Sequence, residues 1–138
     1  AGIMIQFPLY AGIMAMMAAS GLMAELTEVF VANSTSDSMP VLTMISAGIV
    51  NLFVPSGGGQ WAIQAPVALE SGIQLGIAPG KMVMAVAYGD QLTNMLQPFW
   101  ALPLLAITGV RARDIVGYTA VVMFAALIWI TIGLLFSG

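Results

Sequence analysis

Long apolar runs separated by polar interruptions divide this chain into predicted helices. Residues 3–23 form an apolar run of 21 positions, and residues 115–136 form an uncharged run of 22 positions. Because a helix needs about 20 apolar residues to cross a bilayer, both runs are predicted to be transmembrane helices, the second with Asp114 placed to cap its start. Residues 24–38 mix acidic and apolar side chains, a pattern that predicts an interfacial helix followed by a polar loop.

Residues 40–77 contain two apolar arms joined by consecutive glycines. The first arm, 40–55, has 16 residues, about 24 Å as a helix, which is shorter than the roughly 30 Å hydrocarbon core. The second arm, 61–77, carries two glutamines, a glutamate and a proline, and is too polar to face lipid. The pattern predicts a re-entrant helical hairpin with its tip at 56–60. The alternative is two spanning helices joined by a glycine loop outside the membrane.

Residues 82–110 are predicted to form one discontinuous transmembrane helix. The polar segment 89–94 interrupts an otherwise apolar run. Gly89 is a natural helix stop, and Thr93 or Asn94 is a natural N-cap for the half that follows. Two half-helices that meet at membrane depth are typical of transporter binding sites.

Composition places the whole chain in the membrane. Of its 138 residues, 60% are hydrophobic and 7% are charged, and the mean hydropathy is +1.01. These values lie far from soluble averages and predict one all-α integral membrane module, embedded in the lipid bilayer. The absence of His and Cys from the sequence excludes disulfides, thiolate chemistry and imidazole bases, and we expect no cofactor. The net charge of -3 offers no basic patch, so no nucleic acid partner is expected.

Three cations set the predicted orientation. Arg111 and Arg113 lie in the loop before the last helix, and the positive-inside rule places that loop in the cytoplasm. Both feet of the hairpin and Lys81 then fall outside, although Lys81 itself argues weakly against this assignment. The chain is predicted to be a multi-pass protein of the cytoplasmic (inner) membrane.

The hairpin tip combines two kinds of backbone electrostatics. The first arm ends there with free carbonyls, which favour a cation, and the second begins there with free N–H groups, which favour an anion. The tip glycines allow close approach to the backbone, and Ser56 and Gln60 add neutral donors and acceptors. If this tip meets the 89–94 segment, a carboxylate and a small cation can bind side by side. The competing interpretation is that the glycines only permit tight helix packing.

Asp90 is the most informative single residue, because an acid between apolar half-helices requires a cation, a proton or a water-filled cavity. It is predicted to bind Na⁺ or to carry a coupling proton; the alternative is a capping role near the interface. Enzymatic activity is not expected, since Ser56 has no histidine partner. An aspartyl protease would need a second facing aspartate, whereas Asp37 and Asp114 lie in predicted loop or cap positions. A structural or channel-forming subunit without coupled transport remains the alternative function.

Three motifs carry a resemblance to a known family. They are QFPLY followed by GIM at residues 6–14, FVPSGGGQWAIQ at 53–64, and YGDQLTNMLQPFW at 88–100. Together they resemble the C-terminal portion of the short-chain fatty acid transporter family, within the ion-transporter superfamily. The resemblance implies one of two inverted repeats, each with a re-entrant hairpin and a broken helix. It also implies alternating access, and a missing N-terminal repeat or a homo-oligomer to complete the site.

The resemblance further implies a role for each lip of the site. Substrate binding is implied for Ser56, Gly57, Gly58, Gly59, Gln60, Thr93 and Asn94. Ion coupling is implied for Asp90, Thr93, Asn94 and Ser56, with Na⁺ held at Ser56, Gly57, Asp90 and Asn94. Related dicarboxylate carriers have Ser-Asn-Thr at the tip, whereas this chain has Ser-Gly-Gly. The expected function is therefore secondary active transport of a monocarboxylate such as butyrate or acetoacetate, coupled to Na⁺ or H⁺.

Overall fold

The computed structural model describes residues 32–136 without a gap, and before them residues 8, 9, 12, 15, 16, 19–22, 25, 28 and 29. More than half of the predicted transmembrane helix over 3–23, and more than half of residues 24–32 of the predicted interfacial segment over 24–38, therefore lie outside the described residues. Residues 33–38 form a non-helical turn that leads into the first complete helix.

The described part of the chain consists of helices joined by turns and contains no strand, in agreement with the predicted all-α class. From residue 39 onward the order is α1 (Met39–Phe53), α2 (Gly57–Gln74), α3 (Pro79–Asn94), a 3-10 turn (Pro98–Ala101), α4 (Leu102–Thr108) and α5 (Ala112–Phe136). Prolines lie in the first turns of α1, α3 and α4, where the missing N–H has no intrahelical partner to lose.

The connection between α1 and α2 is shorter than the predicted tip. The non-helical residues are Val54, Pro55 and Ser56, whereas the tip was expected over 56–60. Ser56 is the N-cap of α2, and its Oγ accepts a hydrogen bond from the Gly59 N–H at 3.4 Å. This cap compensates for the poor helix propensity of glycine, so the glycines form the first turn of α2 instead of a loop.

The interruption after α3 lies later than predicted. The helix continues through residues 89–94, and the chain leaves it at residues 95–97, just before Pro98. Gly89 does not stop the helix: a Cβ at this position would collide with the Met44 carbonyl oxygen of α1. Its missing side chain allows two backbones to approach closely. The predicted N-cap residues instead belong to the last helical turn of α3.

The core is arranged around α3. Its most extensive contacts are with α1, α2 covers a further side, and α5 packs against both α1 and α3. One apolar cluster comprises Met39, Ala47, Ala68, Met82 and Val86. A second comprises Met44, Ala85, Leu92, Met123 and Leu134. The two clusters fix α3 on both sides and so position its C-terminal end beside the start of α2.

Helix α5 differs from the others in length and exposure. With 25 residues it is the one helix in the described part of the chain that is long and apolar enough to cross a membrane. It begins at Ala112, so that Asp114 lies within its first turn and pairs with Arg111 at 3.0 Å. Helix α1 is apolar but has 15 residues, about 22 Å, which is too short to cross.

Candidate binding site

A cavity of about 380 Å³ lies where α2 begins beside the last two turns of α3. Its lining residues are Gly57, Gln60, Trp61, Val86, Ala87, Asp90, Gln91 and Asn94. Four of these, Gly57, Gln60, Asp90 and Asn94, come from the predicted site. The structure thus brings residues of the hairpin motif and of the second motif to one cavity, although they are 29 to 37 positions apart in the sequence.

The Asp90 carboxylate faces the first residue of α2. A Cβ placed on Gly57 would lie 3.6 Å from Asp90 Oδ2 and 3.8 Å from Oδ1. Asn94, one helical turn further along α3, donates a hydrogen bond from Nδ2 to Asp90 Oδ2 at 3.1 Å. Asp90 Oδ1 is buried and has no hydrogen-bond partner among the described residues. Asn94 therefore holds one carboxylate oxygen, whereas the other has no hydrogen-bond partner in the described part of the chain.

The opposite wall of the cavity is the N-terminus of α2. The Ser56 side chain accepts a hydrogen bond from the Gly59 N–H. The N–H groups of Gly57 and Gly58 lie in the first turn of α2, where the helix itself offers them no carbonyl acceptor. Gly57 lines the cavity, whereas Gly58 is next to it in sequence and outside the lining, with open space where its Cβ would be. Partial positive charge at a helix start favours an anion.

Gln60 lies at the inner end of the cavity and is 1% exposed. Its Nε2 donates to the Ala47 carbonyl of α1 and to Gln64 Oε1, both at 2.9 Å. Gln64 in turn donates to Ser46 Oγ at 3.1 Å. Gln60 Oε1 is buried and without a partner in the described part of the chain. Gln60 thus ties the two arms together and leaves an acceptor oxygen at the cavity.

Asn51 is a central residue that sequence reasoning missed. It is fully buried near the end of α1. Its Nδ2 lies 2.8 Å from the Asp90 carbonyl oxygen and 2.9 Å from both Thr93 Oγ1 and Asn94 Oδ1. Its own carbonyl accepts a hydrogen bond from Gln97 Nε2 at 2.8 Å. The available signal was that Asn51 is the one amide side chain within the apolar helix α1.

The remaining predicted residues have separate places. Thr93 faces α1 instead of the cavity: it accepts from Asn51, and its Oγ1 donates to the Gly89 carbonyl at 3.2 Å. Ser56 and Gly59 serve the helix cap. The side-chain oxygens that line the cavity belong to one carboxylate and to neutral amides. Among the described residues, no three acidic, histidine or cysteine side chains form a group able to hold a metal.

Comparisons with known proteins agree with the sequence motifs. The family model described as short chain fatty acid transporter matches residues 1–137. A protein of Escherichia coli (strain K12), named as a candidate short-chain fatty acid transporter, is 49% identical over 134 residues, covering 97% of this chain and 30% of the relative. A protein of Haemophilus influenzae with the same name is 50% identical over 137 residues, covering 99% of this chain and 30% of the relative. No solved structure is significantly similar.

These matches cover almost all of this chain but only part of each relative. The chain spans about 30% of the length of the curated relatives that it matches, which is consistent with the predicted C-terminal portion. The names are those of transporters, not of enzymes. A match over residues 1–137 leaves almost no part of the sequence unaccounted for. The chain belongs to the short-chain fatty acid transporter family.

Proposed function

We propose that this chain supplies part of the substrate and cation site of a carrier that moves short-chain fatty acid anions by alternating access in the inner membrane. The cavity between the α2 N-terminus and Asp90 is the proposed site. The observation on which the proposal rests is the close apposition of Gly57 and the Asp90 carboxylate. It places a helix N-terminus that favours anions beside a fixed negative charge.

This apposition makes binding of anion and cation interdependent. A carboxylate held by the N–H groups of Gly57 and Gly58 would lie within a few ångströms of Asp90. Two unit negative charges roughly 4 Å apart repel by about 4 kcal/mol at an effective dielectric constant of 20. That energy corresponds to a factor of about a thousand in affinity. The anion therefore binds well only when Asp90 has taken up Na⁺ or a proton, which is the thermodynamic basis of symport.

The unpartnered oxygens support a cation in the same cavity. Asp90 Oδ1 and Gln60 Oε1 are both buried and both acceptors. Burying an acceptor without a donor costs about 1–3 kcal/mol. A cation or a proton-bearing group in the cavity would remove this cost for each of these oxygens that it contacts. Asp90 and Gln60 are therefore proposed as cation ligands, with Gly57 and Asn94 beside them in the lining of the cavity.

The lining of the cavity favours a small monocarboxylate. The described residues that line the cavity include no Lys or Arg, so a second carboxylate would find no cationic partner among them. Trp61, Val86 and Ala87 provide apolar surface for a short acyl chain. The volume of about 380 Å³ lies at the small end of the range for ligand pockets. Butyrate and acetoacetate are the proposed substrates.

A complete carrier needs more than these elements. Helix α5 is long enough to anchor this part in the bilayer, and the remaining length of the relatives would supply the scaffold and the other lip. A second copy of this chain is the alternative source of that lip. The hairpin formed by α1 and α2 would move with α3, to which both helices are packed.

The test is uptake of labelled butyrate into proteoliposomes, with and without Na⁺ and pH gradients. The chain alone is compared with a chimera in which it replaces the matching segment of the E. coli relative. Accumulation driven by one gradient would support the proposal and identify the coupling ion. Accumulation by the chain alone would show that copies of it complete the site. Ion conductance without accumulation of butyrate would contradict it in favour of a channel.

Asp90→Asn makes the test residue-specific. The change keeps the shape of the side chain but removes the charge that requires a cation, so we expect gradient-driven accumulation to fall at least tenfold while downhill exchange of butyrate continues. Glu70→Gln is the matched control, since Glu70 is an exposed acid of α2 outside the cavity. Unchanged accumulation in Asp90→Asn would remove Asp90 from the coupling role.

A further inference from the structure

Asn51 begins a directed chain of hydrogen bonds that ends at the Asp90 carboxylate. Asn51 Nδ2 donates to Asn94 Oδ1 at 2.9 Å, and Asn94 Nδ2 donates to Asp90 Oδ2 at 3.1 Å. An amide side chain presents its donor and its acceptor at opposite corners of one plane. Asn94 can therefore offer N–H groups to Asp90 only while its oxygen faces a donor, and Asn51 is that donor.

The series of hydrogen bonds from Asn51 through Asn94 occupies one of the two carboxylate oxygens of Asp90. Oδ2 receives the Asn94 hydrogen bond, whereas Oδ1 is buried and has no partner among the described residues. A carboxylate held by a fixed donor has less rotational freedom to lose when a ligand arrives, which raises affinity through preorganisation. The orientation of the carboxylate therefore depends on a residue that does not line the cavity itself.

Asn51 is itself held firmly enough to serve this role. Its NH₂ group has two hydrogens but lies within 2.9 Å of three oxygens of the last turn of α3. Thr93 Oγ1 uses its own hydrogen on the Gly89 carbonyl, so it can only accept from Asn51. Gln97 fixes the Asn51 main chain from the other side. If the Asn51 amide were rotated by half a turn, its Oδ1 would face the acceptor oxygens that its Nδ2 now contacts, so the observed orientation is favoured.

We propose that Asn51 is a positioning residue for the coupling cation. Acting through Asn94, it holds the Asp90 carboxylate with Oδ1 directed to the cation. This inference rests on the proposed function, because it concerns the cation half of the same site. It adds a residue of α1 to a site that otherwise comprises the α2 N-terminus and the last turns of α3.

A purely structural role for Asn51 makes different predictions. If the amide only ties α1 to α3, its loss lowers the amount of folded carrier and the maximal rate, but the remaining carriers bind the cation as before. If the amide positions Asp90, the concentration of cation that gives half-maximal uptake must rise. The butyrate KM at saturating cation then changes little, since saturation restores the occupied site.

The experiment measures half-maximal cation concentration and butyrate KM in the chimera, for Asn51→Leu, Asn94→Leu and the double variant. We expect each single variant to weaken cation affinity by roughly tenfold or more, as for loss of a hydrogen bond to a charged group. The double variant should bind the cation no more weakly than Asn94→Leu, because the effects of substitutions within one hydrogen-bond network are not additive. Thr43→Val is the matched control, because Thr43 is fully buried in α1 and takes no part in the hydrogen bonds that link Asn51, Asn94 and Asp90.

Two results would overturn the inference. One is an unchanged half-maximal cation concentration in Asn51→Leu with only the rate or the protein level reduced. The other is a double variant whose loss equals the sum of the single losses. Should Asn51→Leu fail to insert, Asn51→Ser carries the same comparison, because its smaller side chain leaves room for water. A chimera whose uptake needs no cation contradicts the proposed function instead, so the two failures are distinguishable.

Discussion

Helices α3 and α5 both pack against α1, but they are held there in different ways. In α3, Gly89 meets the α1 backbone directly, and Asp90, Thr93 and Asn94 receive hydrogen bonds from Asn51. In α5, only Met123 and Leu134 are buried, and most of the long apolar side chains are exposed. Backbone fit and polar contacts specify the position of α3 at the site, whereas the contribution of α5 to the core is mainly the apolar side chains of Met123 and Leu134. Substitutions should therefore have far larger effects in α3.

Glycine to alanine changes give the largest expected contrast. Gly89→Ala would force a Cβ against the Met44 carbonyl oxygen, the Ala47 Cβ and the Gly48 nitrogen. Since backbone atoms cannot move aside easily, we expect Gly89→Ala to lower the free energy of unfolding by about 3 kcal/mol, the upper end of the usual cost of overpacking. Gly133→Ala in α5 is the control, because its Cβ would meet no atom within 4 Å. Thermal unfolding in detergent measures both; equal stability of the two variants would remove the contrast.

The buried amide network between α1 and α2 provides the next largest effect. Gln64→Leu removes the acceptor for Gln60 Nε2 and the donor to Ser46 Oγ, inside a contact where Gln64 is 2% exposed. We expect a loss of about 1–3 kcal/mol, because buried polar groups are left without partners. Thr119→Val in α5, which loses only a local bond to the Val116 carbonyl, should change stability by less than about 0.5 kcal/mol. An unchanged melting temperature in Gln64→Leu would mean that these hydrogen bonds do not stabilise the contact between α1 and α2.

Thr43→Val should have the smallest effect and the opposite sign. Thr43 is fully buried, and its Oγ1 has no hydrogen-bond partner among the described residues. Replacing the hydroxyl with a methyl group of similar shape removes a desolvation penalty, so we expect a gain of up to about 1 kcal/mol. A lower melting temperature would mean that this hydroxyl has a partner in the folded protein.

The sequence predicts helices well wherever spacing and composition decide the outcome. The uncharged run over 115–136 lies within α5, and the two arms over 40–77 correspond to α1 and α2. Glycines were harder to interpret, because a helix stop and a close helix contact both require a missing Cβ. At Gly89 the second cause applies. Without the position of α1, the sequence could not distinguish them.

The site was predicted only in part for a related reason. Asp90 stood out as a charge in an apolar setting, and Gly57 stood out as part of a motif. Asn51 did not, because its partners lie 39 to 43 positions further along the chain. A lone amide in an apolar helix has meaning only when its acceptors are known. Hydrogen-bond partners across helices are a tertiary property that periodicity does not contain.

The Gln97 contact to the Asn51 carbonyl spans 46 positions and has a consequence for biosynthesis. During synthesis, α1 emerges from the ribosome before residues 90–97 do. Until then, the end of α1 holds an amide and a carbonyl whose eventual partners are missing, a state that hydrocarbon does not tolerate. We therefore expect the end of α1 to stay hydrated until α3 and Gln97 emerge and supply its hydrogen-bond partners.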